Sequence, residues 1–399
     1  GGINSVQVIQ ADLNNDGKQD LVLFDQNINK LKTFINTGNP GDIHYTYDPK
    51  YEQNFPAVND YVILKDYNCD GIPDLFHKGF PGVSVYKGYY QNNQLMFTYY
   101  KDLYFPGTFG QVNVYVQPSD IPAIIDVDGD GDLDVVTYGV NGNLLEYTKN
   151  LRVENGLPCD SMVMDLVDNC YGKFYQGFSR AVNLGFTSCK GLGTGSEHKT
   201  RHTGNCIALL DIDGDGDLDI MGGNISFNDV QLLMNGGSSS NCIITQQDTL
   251  YNHLGHELYM PTWAAPFYLD IDNDGDKDLL FTSHNENASS ANYHAVAYYK
   301  NNGSTAMPNL VYQHDSLFMN DMIDVGSYSY PALFDYDKDG KPDLFIGTEG
   351  YLDNASGTLH SKLAYYKNTS TAGAISFQLV TNDFLGLSSH NYDGIFPAF

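Results

Sequence analysis

The stretch Pro122-Ala-Ile-Ile-Asp126-Val-Asp128-Gly-Asp130-Gly131-Asp132-Leu-Asp134-Val-Val136 decides the fold, because it joins two short apolar runs through a turn dense in carboxylates. Apolar runs of this length, bounded by Gly, Pro and Asp, read as buried strands. The turn follows D-x-[DN]-x-D-G-x-x-D, and five other segments obey the same pattern without a gap. They start at Asp12, Asp66, Asp211, Asp270 and Asp335, so successive first aspartates lie 54, 60, 85, 59 and 65 residues apart. Self-similarity on this scale marks a repeat architecture.

Each copy carries more strand-like runs. Leu21-Val-Leu-Phe24, Leu279-Leu-Phe281 and Leu344-Phe-Ile346 follow their loops directly. A third run recurs as Phe34-Ile-Asn36, Val85-Tyr-Lys87, Tyr147-Thr-Lys-Asn150, Leu233-Met-Asn235, Tyr298-Tyr-Lys-Asn301 and Tyr365-Tyr-Lys-Asn368. A fourth follows, for example Leu95-Met-Phe97 and Leu310-Val-Tyr312. Four strands per repeat make a propeller blade. The expectation is an all-β chain forming a single β-propeller over 1–399. Its four-stranded blades are expected at 1–54, 55–113, 114–203, 204–262, 263–326 and 327–391, the third enlarged by an insertion at 151–203. Gly394-Ile-Phe396-Pro397-Ala398-Phe399 resembles the start of a blade. The segment 392–399 is therefore expected to be the first strand of a seventh blade, in a seven-bladed ring with six blades complete.

Carboxylates packed this closely repel one another unless a cation neutralises them. Calcium takes roughly six to eight oxygen ligands and suits flexible, carboxylate-rich loops. In each loop, side chains at positions 1, 3, 5 and 9 and the backbone carbonyl at position 7 are the expected ligands. The sets are Asp12, Asn14, Asp16, Lys18 and Asp20; Asp66, Asn68, Asp70, Ile72 and Asp74; and Asp126, Asp128, Asp130, Asp132 and Asp134. The remaining three are Asp211, Asp213, Asp215, Asp217 and Asp219; Asp270, Asp272, Asp274, Asp276 and Asp278; and Asp335, Asp337, Asp339, Lys341 and Asp343. About six Ca2+ ions follow, one per loop. Asn14 and Asn68 remove one charge each, so the first two loops should bind more weakly. An EF-hand needs a Glu at loop position 12 and flanking helices. Here that position holds Leu23, His77, Thr137, Gly222, Phe281 and Ile346, between strands.

Composition agrees with this picture. Tyr (30) and Phe (21) favour strands, and 40 Gly favour turns. Of the 49 acidic residues, 25 fall inside the six loops, and six divalent ions would bring the formal charge from −28 to −16. No basic footprint for nucleic acid is present. No run of apolar residues is long enough for a membrane helix, so no membrane insertion is expected. Four of six cysteines, Cys159, Cys170, Cys189 and Cys206, cluster in and beside the insertion and are expected to form disulfides, as in an oxidising compartment. Cys159–Cys170 with Cys189–Cys206 is one pairing among several. The chain opens on Gly1-Gly2-Ile3, as a mature or excised piece would.

The loops and their flanks resemble the FG-GAP/VCBS repeat family, whose calcium-binding propellers include the integrin α-subunit head. The opening residues and Asp-rich loops are most similar to large surface proteins of Bacteroidetes-type bacteria exported by the type IX route. Integrin-like Phe-Gly and Gly-Ala-Pro signatures survive only as Pro-Ala before several loops, so no integrin ligand is carried over. Asp160-Ser161-Met162, Asp248-Thr249-Leu250 and Asp315-Ser316-Leu317 match the acceptor triplet of O-glycosylation in such proteins, which makes Ser161, Thr249 and Ser316 candidates. The resemblance implies a secreted or cell-surface, non-enzymatic module for adhesion or scaffolding, with a protein or glycan partner. A sugar-binding lectin is the alternative, and a polysaccharide-active enzyme a third. His198, His202, His253 and His256 match no metalloenzyme motif.

Overall fold

A computed structural model describes residues 5–80, 82–177, 179–189, 205–249, 258, 260, 263–284, 294–319, 322–353, 358–372, 374–390 and 392–398. The chain divides into two compact units. One comprises 5–284 with 296–315, the other 1–4, 285–295 and 316–399.

The larger unit contains five four-stranded antiparallel sheets, each a meander of consecutive strands. Sheet one is β1 (Val6–Ala11), β2 (Asp20–Asp25), β3 (Lys30–Asn36) and β4 (Tyr45–Tyr47). Sheet two is β5 (Val62–Lys65), β6 (Asp74–Lys78), β7 (Val83–Gln91) and β8 (Gln94–Asp102), followed by a separate hairpin of β9 (Tyr104–Gly107) and β10 (Gly110–Asn113). Sheet three is β11 (Ala123–Ile125), β12 (Asp134–Tyr138), β13 (Leu145–Asn150) and β14 (Met164–Tyr171). Sheet four is β15 (Asn205–Leu210), β16 (Asp219–Asn224), β17 (Val230–Asn235) and β18 (Ile244–Asp248). Sheet five is β19 (Ala264–Leu269), β20 (Asp278–Ser283), β21 (Val296–Asn301) and β22 (Leu310–His314).

Second strands are apolar on both faces because both faces are covered, as in β12 and β20, whose residues are all buried. Fourth strands alternate or open to solvent, as in β18 and β22. One register repeats throughout. The residue before each loop pairs with the loop's last aspartate: Ala11 with Asp20, Lys65 with Asp74, Ile125 with Asp134, Leu210 with Asp219 and Leu269 with Asp278. Each acidic loop is thus the turn of a hairpin between the first and second strands.

The first strands of all five sheets line one cavity. β1 packs against β5 on one side and β19 on the other, and β15 packs against both β11 and β19. Sheet five meets sheet one through Thr282, whose hydroxyl donates to the Val6 carbonyl at 2.6 Å, and through Ser5 and His284. Val6 and Ala264 both stand six residues before a first aspartate, and Thr282 and Gly223 stand at matching steps of their repeats. At Gly223 the Ala264 carbonyl comes so close that a Cβ would lie 1.7 Å from its oxygen. Four-to-five and five-to-one contacts are therefore the same contact.

The smaller unit holds the sixth repeat: β23 (Ser327–Phe334), β24 (Asp343–Asp353), β26 (Leu363–Asn368) and β27 (Phe377–Thr381), with β25 (Thr358–His360) pairing on β24. Phe334 pairs with Asp343 in the shared register. The segment 392–398 is not a ladder strand, but it lies on this sheet. The Ile395 amide donates to the Thr348 carbonyl, and a Cβ at Gly347 would meet the Ile395 oxygen at 1.9 Å. Gly347 stands where Gly223 stands in its repeat, so the sequence match of 392–399 to a blade start has a geometric counterpart.

Two expectations are corrected. The insertion at 151–203 is not wholly an addition, since Met164–Tyr171 within it is the fourth strand of sheet three. The cysteine pairing also differs: Cys69 joins Cys159, and Cys170 joins Cys189, while Cys206 and Cys242 are buried thiols. Cys206 lies on β15, packed into the core beside Trp263 and Ile121, and so cannot reach Cys189. Cys69 stands within the second acidic loop. Its partner Cys159 follows β13, in a segment that packs on sheet two through Lys101 and the Met162 carbonyl. Part of the insertion, 190–203, and the four histidines named above lie outside the described residues.

Overpacking a close backbone approach costs about 1–3 kcal/mol. Gly223→Ala should therefore lower unfolding stability by about 2–3 kcal/mol in denaturant titration. Gly222→Ala, where the nearest atom lies at an ordinary 3.5 Å, should leave it nearly unchanged.

Candidate metal centre

The six loops are superposable hydrogen-bond machines. The position-1 carboxylate accepts the position-6 amide in every copy, for example Gly17 on Asp12 at 2.8 Å and Gly216 on Asp211 at 3.0 Å. The position-5 carboxylate accepts the position-7 amide, as Asp215 does from Asp217 at 3.0 Å. Glycine at position 6 has φ between 78° and 101°, the left-handed region that a Cβ disfavours. These bonds wrap the backbone around positions 1, 3 and 5.

Position 9 behaves differently. Asp20, Asp74, Asp134, Asp219, Asp278 and Asp343 are essentially fully buried. One oxygen of each accepts the position-2 amide, as from Leu13, Tyr67, Val127, Ile212, Ile271 and Tyr336. The other accepts an amide of the third strand, 2.8 Å away in every copy: Gly88 within β7, and the strand-ending Asn36, Asn150, Asn235, Asn301 and Asn368 elsewhere. The asparagine side chain returns the favour in four copies, donating to the position-8 carbonyl of Gln19, Leu218, Lys277 or Pro342. The recurring Asn was visible in the sequence, but only as a strand signature. Its role is to latch the loop to the third strand.

Position-7 side chains turn away from the loop centre toward the turn after the third strand. Lys18 reaches the Gly38 carbonyl, Lys341 the Ser370 carbonyl, and Asp132 and Asp276 accept the amides of Val153 and Thr305. This leaves the position-7 contribution to its backbone, as expected of Lys18 and Lys341. Asp217 is 7% exposed, and its Oδ1 has no hydrogen-bond partner.

Asp126, Asp128 and Asp134 each offer an oxygen within 4.8 Å of the others, as do Asp211, Asp213 and Asp219, and Asp270, Asp272 and Asp278. Asp335, Asp337 and Asp339 form a fourth set, and Asp128, Asp130 and Glu154 a fifth. These all-oxygen sets suit a hard divalent cation. Asn14 and Asn68 instead help to order the first two loops, accepting the amides of Asp16 and Asp70.

A lysine before the latch asparagine enters some of these centres. Lys149 bonds Asp128, Asp130 and Glu154; Lys300 bonds Asp272 and Asp274; and Lys367 bonds Asp337. Lys87 lies 3.9 Å from Asp70. Repeats one and four carry Ile35 and Met234 at this step. In the fourth loop, no lysine or arginine pairs with Asp211, Asp213 or Asp215 among the described residues. Ser161, Thr249 and Ser316 are all partly exposed.

Burial pushes the carboxyls of Asp20 and Asp74 up to about 6, and those of Asp134, Asp219 and Asp278 up to about 7, against the pull of their backbone hydrogen bonds. Asp132 and Asp217 rise to about 6 for the same cause. The ion-free folded protein thus holds protons that the unfolded chain releases near pH 4. Its stability should fall as pH rises from about 4 to about 7, because over that window the folded state binds more protons. Melting curves in chelator at several pH values check this. Asp219→Ala leaves the Ile212 and Asn235 amides unpaired and should cost about 2–6 kcal/mol in chelator as well as in calcium, at about 1–3 kcal/mol per buried donor.

No family model matches the chain, and no curated protein matches it either. Among solved structures, it is similar to a chain of the crystal structure of TcdB2-TccC3 without its hypervariable C-terminal region, at 12% identity and a TM-score of 0.31, over 96% of this chain and 19% of that one. A chain of the TcdB2-TccC3-Cdc42 structure gives 11% identity and a TM-score of 0.30, over 95% and 19%. The chain therefore spans about a fifth of the length of either.

Proposed function

We propose that this chain is a calcium-binding propeller module, non-enzymatic, working outside the cell as an adhesion or scaffold element of a larger exported protein. The observation that carries the calcium reading is the fourth loop. Its three carboxylates converge from Asp211, Asp213 and Asp219, and no lysine pairs with them among the described residues. Six loops with one hydrogen-bond plan support one ion type throughout.

In this proposal the propeller ring has five blades, not the seven suggested by the count of repeats. Its support is the shared cavity and the contact of β1 with β19, which reproduces the contact between successive sheets. The sixth repeat is then a further module built on the same plan. The FG-GAP/VCBS resemblance and export by the type IX route belong to the same reading. Two disulfides fit an oxidising compartment. The partner in this reading is a protein or glycan at the cell surface.

Calcium here stabilises. With ion in tenfold excess over Kd, each site adds about 1.4 kcal/mol, and six add about 8 kcal/mol, comparable to the whole stability of a domain. One observation favours a lectin as the second reading. Sheet two and its hairpin expose Tyr99, Tyr100, Tyr104 and Phe109, aromatic faces on which sugar rings can stack. A glycan array separates the two readings.

Chelation should lower the melting temperature by tens of degrees at pH about 7.5, and by much less at pH about 5, where protons replace the ion on the buried carboxylates. A melt that is indifferent to calcium at both pH values counts against the reading. Replacing the competing cation, Lys300→Met should tighten calcium binding at the fifth loop, read by calorimetric titration.

A further inference from the structure

The cavity shared by the five first strands has a volume of about 370 Å3. Its wall is mainly aliphatic and aromatic, including Val8, Ile63, Ile124, Leu209 and Phe267. Lys65 and Lys277 are the basic residues of its lining. Lys65 is the last residue of β5, and Lys277 stands at position 8 of the fifth loop, so the shared register brings both to the end of the cavity where the acidic loops lie.

Neither lysine makes an ion pair among the described residues. Lys277 rests its ammonium 5.6 Å from the centre of the Tyr268 ring. Asp270, which also lines the cavity, spends its carboxylate on the amides of Asp274 and Gly275. Two like charges facing an apolar space without an anion is an unfavourable arrangement in an otherwise acidic protein. Elsewhere in the chain, Lys149, Lys300 and Lys367 all find carboxylates.

We propose that the cavity binds a small amphiphilic carboxylate, with its apolar body among the first strands and its carboxylate between Lys65 and Lys277. An apolar cavity of about 150 Å3 holds a benzene ring, so this one admits a body of about two fused rings or a short alkyl chain. Ligand pockets with mostly apolar walls and a few convergent polar groups are the usual form of such sites. The lysines would select for the anion, and the wall would supply the affinity.

The test is calorimetric titration of 1-naphthoate into the calcium-loaded chain, with the neutral 1-naphthylmethanol as comparison. The expected result is saturable binding of one naphthoate per chain, at least about tenfold weaker for the alcohol. Lys65→Met and Lys277→Met should each weaken naphthoate about tenfold and leave the alcohol unchanged, a loss of about 1.4 kcal/mol. Should a lysine variant fail to fold, Ala208→Leu on the cavity wall carries the test, since filling the space must abolish binding of both compounds. The proposal is overturned if naphthoate does not saturate at millimolar concentration. Equal affinity for acid and alcohol, or indifference to the substitutions, overturns it as well.

Discussion

Everything in this structure hangs on a buried aspartate that accepts two backbone amides. At the ninth position of each loop, one carboxylate ties the start of its own turn to the end of the third strand, and so fastens three of four strands at one end of a sheet. Without that bond, the hairpin between the first and second strands would leave its turn amides unpaired in a dry place, at about 1–3 kcal/mol each. With it, the sheet gains a rigid acidic end but carries a buried charge. Burial raises the pKa of Asp134, Asp219 and Asp278 to about 7, so that charge is poorly tolerated by itself. The carboxylates that the loop gathers within reach of one another are what a cation would bind.

The repeats meet this electrostatic demand in different ways. In the third, fifth and sixth loops a lysine from the third strand lies on the carboxylates. In the fourth no such lysine occurs among the described residues, and three acidic side chains gather at one centre. A single repeated sequence plan therefore does not give six equal sites. The grading by Asn14 and Asn68 at position 3 is only half of the difference, because the residue before the latch asparagine sets the other half. The lysines at the cavity are the opposite case, being cations without an ion-pair partner among the described residues.

Most of the local architecture was legible in the sequence. The loop pattern marked the turn, the apolar runs on either side marked the first two strands, and the Y-Y-K-N runs marked the third. The register of all six hairpins follows from the spacing of eight residues between first and last aspartate. Two kinds of information were not legible. Long-range pairing was one: Cys69 to Cys159 spans 90 residues, and no local pattern chooses it over its neighbours. The other was how sheets associate. Counting repeats cannot say that β1 packs on β19, because that depends on single contacts such as the Thr282 hydroxyl on the Val6 carbonyl. Met164–Tyr171 was hidden for a related reason, since its buried residues are spaced by polar ones such as Asp165 and Asn169 that read as loop.

The latch and the cation are expected to act together. Amide hydrogen exchange at Leu13, Tyr67, Val127, Ile212, Ile271 and Tyr336, the donors to the six buried carboxylates, measures this directly. With calcium bound, these amides should exchange only with global unfolding. After chelation at neutral pH they should become the first protected amides of their sheets to open, Ile212 most of all. Protection at these positions that is the same with and without calcium would contradict the account.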